Sequence, residues 1–143
     1  MKWMLAFHFI AFAMGVGMSF SNFVNIRLAR TLGGEKAQGL ALLRGVLGRI
    51  GDVVISFIWL TGIALLLPMT GEGGTGMSAL PIIFHIKLLF VVGLTLCHVG
   101  ARLTALRIAR TGRKDLIGII EACTLGVFLN AIASILLAVA AFD

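Results

Sequence analysis

Four long apolar runs, separated by polar segments, divide the 143 residues. They predict helical spans at about 4–26, 52–69, 82–101 and 116–142, each long enough to cross a hydrocarbon core of about 30 Å. The pattern is not uniformly greasy. At roughly 100° per residue, His8, Gly15, Ser19, Asn22 and Ile26 fall within about 40° of one line on the first span. Lipid disfavours such polar groups, so this stripe is expected to face the other helices. On the third span, His85 and Lys87 point to opposite sides. Lys87 and His98 return to within about 20° of one face. Ionisable groups inside an apolar span are costly, so each is a candidate functional group.

The segments between the runs fix a topology. Residues 27–51 hold Arg27, Arg30, Lys36, Arg44 and Arg49, and residues 102–115 hold Arg102, Arg107, Arg110, Arg113 and Lys114. The glycine-rich stretch at 70–80 has no basic residue and lacks the GxxxxGK[ST] pattern of a phosphate-binding loop. By the positive-inside rule, both basic loops are expected in the cytoplasm and both termini on the periplasmic side. Within the first loop, Glu35–Arg49 has helical character, and Gly45, Gly48 and Gly51 recur as in a close-packed helix start. Asp52 beside Arg49 reads as an interfacial ion pair or a helix cap. Glu121 lies at the level of Arg102 and His98, so a Glu121–Arg102 pair or a proton-handling role with His98 is expected.

Composition agrees. The chain is 59% hydrophobic and 13% charged, with a mean hydropathy of +1.08; a soluble domain carries about 25% charged residues. The fold class is therefore all-α, an integral-membrane four-helix bundle in a single domain, 1–143. The net charge of +6 lies almost wholly in the two loops, which argues for the lipid bilayer as partner and against nucleic acid. Cys97 and Cys123 have no CxxC spacing. The first run is too long for a signal-peptide core and reads as a retained span.

On this topology His8 and His85 each lie about four residues inside the outer end of their spans, at matching depth. Two imidazoles presented by bundle helices suit the axial positions of a b-type haem. They are poor for zinc, which takes three or four protein ligands. Gly15 and Gly93 would give a flat ligand its space. Lys87 would pair with a haem propionate or snorkel to lipid headgroups. His98 is about 19 Å along the helix from His85 and cannot serve the same iron. The alternative for both outer histidines is an interfacial role satisfied by water or backbone.

At FHIKLLFVVGLTLCH the chain resembles the third helix of small four-helix bacterial membrane proteins of the HemJ type, the membrane protoporphyrinogen oxidases. Their His-x-Lys-Leu start, with a second His thirteen residues after the first, is matched by His85, Lys87, Leu88 and His98. HFIAFAMGVGMSFSNFVNIRL looks like their first helix, with His8 in the place of its early histidine. LGRIGDVVISFIWLTGIALL is similar to the membrane part of CopD-like proteins. The chain departs from the oxidase pattern at GVGMSFSNF, which lacks its Trp, Pro and His, and at Phe84, which stands for a Trp. The resemblance implies an inner-membrane protein that binds haem b and passes electrons from a tetrapyrrole or similar donor toward a quinone. His8 and His85 would be the iron ligands, and Lys87 and Gly15 would contact the cofactor. Lys87, His98 and Glu121 would be the catalytic candidates. A second, non-enzymatic reading is a membrane partner, a haem- or metal-handling protein or a small transport subunit, working as a homo-oligomer or within a larger complex.

Overall fold

The computed structural model describes residues 2–70 and 81–140. Four helices account for nearly all of them: α1 (Lys2–Leu32), α2 (Gly34–Thr70), α3 (Ile82–Thr111) and α4 (Ile117–Ala140), with a 3-10 turn at Lys114–Leu116 before α4. All four are long and apolar enough to cross a membrane. The chain is an all-α bundle of multi-pass membrane type. The glycine-rich stretch at 71–80 lies outside the described residues.

The helices run well beyond the predicted spans. α1 continues through Arg27 and Arg30, and α2 begins already at Gly34. The connection expected at 27–51 is thus a turn at Gly33 and Gly34, whose φ values of 62° and 55° suit glycine and few other residues. The helical character of Glu35–Arg49 is present as the first part of α2. Charged residues at a span's edge end its apolar window and do not end a helix, and Lys, Arg, Gln, Ala and Leu are good helix formers. At 37 residues, α2 is roughly 55 Å long, so its basic end projects well past a bilayer core. α3 likewise runs to Thr111 and stops where Gly112, at φ 68°, donates its N–H to the Ile108 carbonyl at 2.8 Å.

α1 packs along α2 and α4, and α3 packs along α4, but α2 and α3 stand apart. The core between them is built from Ala11, Phe12, Val54, Ile58, Val91, Leu94, Val127 and Ala131. The bundle buries polar groups among its apolar core and is greasy outside. His8, Ser19, Thr61, Glu121, Thr124 and Ser134 are buried, while Trp3, Leu60, Leu89, Leu96 and Leu129 are exposed. Exposed apolar side chains on every helix are what a lipid-facing surface needs.

The α3–α4 contact is close because each helix offers glycines to the other. A Cβ at Gly126 would lie 2.7 Å from Cys97 Sγ, and one at Gly93 would lie 2.7 Å from Asn130 Oδ1. Asn130 is held over Gly93 by its own bond to the Gly126 carbonyl, at 2.7 Å. Gly93, expected to give room to a flat ligand, is therefore filled by Asn130. Gly15 faces Val54 and Ile58 on α2.

Candidate functional site

The gap between α2 and α3 holds two cavities, one in each half of the bundle. Ile58 lines both. Side chains bridge the gap at two levels. Midway, Trp59 Nε1 donates to Thr95 Oγ1 at 3.0 Å. Nearer the basic end, Asp52 accepts from His98 Nε2 at 2.7 Å with one oxygen and pairs with Arg102 at 3.1 Å with the other.

The cavity far from the arginine-rich end measures about 430 Å³ and is mostly apolar, walled by residues such as Phe9, Ile58, Trp59, Phe84 and Leu88. His8 and Lys87 are two of its polar groups. His8 is buried. Its Nδ1 lies 2.7 Å from Thr61 Oγ1. The Thr61 hydroxyl has one proton, which it gives back to its own helix at the Phe57 carbonyl, 2.7 Å away. Thr61 must then accept, so the His8 proton sits on Nδ1 and Nε2 keeps its lone pair. This is the arrangement in which a metal-ligating histidine is held by a second-sphere oxygen. Gly62 lets the imidazole lie against α2, since a Cβ there would come within 3.4 Å of Cε1. Phe12 links the two polar groups: the His8 ring meets it edge-on at 5.1 Å, and the Lys87 ammonium sits 5.9 Å from its centre.

His85 is placed elsewhere. It is exposed, with Nδ1 at 3.3 Å from the Pro81 carbonyl of its own chain and its ring beside Phe84. The helical step that turns Lys87 and His98 inward turns His85 outward. The His8/His85 pair expected to flank one iron is not brought together on this cavity. One imidazole, that of His8, and the ammonium of Lys87 line this mostly apolar cavity. The residues present do not fit a group held by two imidazoles.

The proton-handling candidates are also dispersed. His98 binds Asp52 of α2. Glu121 does not pair with Arg102: its two oxygens take Arg27 and Arg30 of α1, the latter at 2.6 Å. The reason is neighbourhood, because α4 packs on α1 while Arg102 turns across the gap toward α2. Asp52 likewise finds its partners on α3 rather than at Arg49. The same bridge explains two glycines. A Cβ at Gly51 would lie 2.8 Å from His98 Cε1, and one at Gly48 would lie 2.9 Å from an Arg102 nitrogen. Gly51→Leu is expected to push His98 off Asp52 and cost about 1–2 kcal/mol, read as detergent thermal stability. Gly17→Leu, where a Cβ meets nothing within 4 Å, is expected to cost nothing measurable.

Sequence reasoning missed Thr61, which positions His8, and Asn25, which is buried and ties α1 to α2 by donating to the Leu40 carbonyl at 3.1 Å. A threonine in an apolar span is cheap and gives no signal. Asn25 was visible as an amide in the first run, but its register against α2 was not. Among the described residues, no group of three His, Cys, Asp or Glu side chains comes together as a metal site. Comparison with protein-family models, with curated proteins and with solved structures finds no match.

Proposed function

We propose that this chain is a redox protein of the bacterial inner membrane, related in kind to the HemJ group, which holds one b-type haem in the His8 cavity. The basic helix ends would face the cytoplasm and both termini the periplasm. The observation that carries the reading is the His8–Thr61–Phe57 relay. It buries an imidazole beside a ligand-sized apolar cavity, fixes its tautomer and leaves Nε2 to bind iron. Bound haem would supply a one-electron couple at its iron.

The chain's own groups do the rest. Thr61 orients His8. Lys87, in the same cavity, would neutralise a propionate, which an ammonium in an apolar wall favours strongly. The apolar walls exclude water. The space between α2 and α3 gives a membrane-soluble electron donor, such as a tetrapyrrole, and a quinone acceptor a route from the bilayer.

The test is the absorption spectrum of the detergent-purified protein, oxidised and then reduced with dithionite. A Soret band that shifts on reduction is expected, lost in His8→Ala and kept in His85→Ala. Pigment that survives His8→Ala, or a colourless protein after expression with haem precursor, would refute the assignment.

A further inference from the structure

The second cavity, about 400 Å³, lies in the basic half of the bundle and is separate from the His8 site apart from the shared Ile58. Along α3 it reaches from Leu94 to Ala109, roughly 22 Å at the helical rise. It is therefore long and narrow. Its two ends differ in chemistry. One is walled by core side chains such as Phe12, Ile58 and Leu94. The other carries Arg44, Arg102 and His98.

The charges there do not balance. Asp52 is already shared by His98 and Arg102. Arg44 is half-buried in the cavity wall, and among the described residues no carboxylate lies within ion-pair distance of it. A partly buried guanidinium without a counter-charge is costly. A second, independent group in the cavity also lacks a partner, and it is an acceptor that calls for a donor. Asn22 lines the same cavity, and its Oδ1 is buried with no hydrogen-bond partner among the described residues. Buried polar atoms of this kind are normally satisfied. Gly45 adds room, since a Cβ there would meet nothing within 4 Å.

We propose that this cavity binds a single-chain amphiphile with an anionic head, taken up sideways from the bilayer through the gap between α2 and α3. The head, a carboxylate or phosphate, sits between Arg44 and Arg102; the Asn22 amide N–H2 can donate to it, while Asn22 Oδ1 is left for a hydroxyl donor such as that of a glycerol backbone. The chain extends toward Phe12, Ile58 and Leu94. Charge complementarity selects the head, and the length and apolar lining select the tail. The inference does not depend on haem.

The test uses Trp59, which follows Ile58 on α2, packs against the core beside the apolar end and itself lines the His8 cavity, so that the Arg44 and Gly45 variants decide which cavity the probe enters. The chain has two tryptophans, so Trp3→Phe leaves Trp59 as the single reporter. Dibrominated stearate is titrated into this protein in detergent, and quenching of Trp59 is followed. Saturable quenching by the acid and none that saturates with its methyl ester is expected. Arg44→Gln is expected to weaken binding about tenfold, and Gly45→Leu, which adds a branched side chain at a cavity-lining position where a Cβ meets nothing within 4 Å, to abolish it. Equal quenching by acid and ester in the unaltered background, or quenching indifferent to both substitutions, would overturn the proposal. Brominated lysophosphatidate binding in place of stearate would identify a phosphate head and uphold it. Displacement of the probe by inorganic phosphate alone, as effectively as by unlabelled stearate, would mean a small-anion site and overturn it.

Discussion

Replacing Arg27 and Arg30 together by alanine is expected to destabilise the bundle by about 3–5 kcal/mol, the range for stranding one member of a buried ion pair. The Glu121 side chain is 11% exposed, and each of its oxygens is taken by one of the two arginines. The arginines themselves are 64% and 46% exposed, so they reach water or headgroups without Glu121. The asymmetry gives the prediction its sign. Glu121→Gln removes the buried charge together with its need for partners, and is expected to cost about 1 kcal/mol. Thermal unfolding in detergent measures both. A Gln variant as damaged as the double alanine variant would show that the arginines do not serve to neutralise Glu121.

Gly126→Ala is the second large effect, about 3 kcal/mol at the upper end for overpacking. The added Cβ would lie 2.7 Å from Cys97 Sγ but 3.5 Å from Cys97 Cβ. The first distance is a clash and the second an ordinary contact. Cys97→Ala is therefore expected to restore most of the loss, and a double-mutant cycle measures the coupling directly. If the two changes add independently, the helices accommodate the methyl group by moving apart.

The helix count, the membrane character and the inward faces of α1 and α3 were legible in the sequence. They follow from the helical step and the cost of polar groups in lipid, which are local properties. Ser19, Ile26 and His8 are buried as the stripe on the first run requires. What the sequence withheld was partnership. Glu121 and Arg102 sit at one level, and level alone suggested a pair, but pairing depends on which helices touch. The Gly48 and Gly51 repeat was visible without its cause, which is the bulk of Arg102 and His98 on a helix elsewhere in the chain. His85 and His8 matched in depth, yet depth does not fix azimuth between helices.

The separation of α2 from α3 has a consequence for how the chain is assembled. Contacts join α1 to α2 and α3 to α4, and the two pairs meet where α1 lies on α4. Each pair is a helical hairpin closed by its own short turn. In chain order the pairs are joined between α2 and α3, the neighbouring helices that touch least. Cutting the chain between Thr70 and Pro81 would leave the contacts among the described helices to hold the halves together and remove the tether, whose entropic advantage varies only logarithmically with linker length. Two co-expressed fragments would keep the α1–α4 seam that joins them. The molecule is organised as two half-proteins.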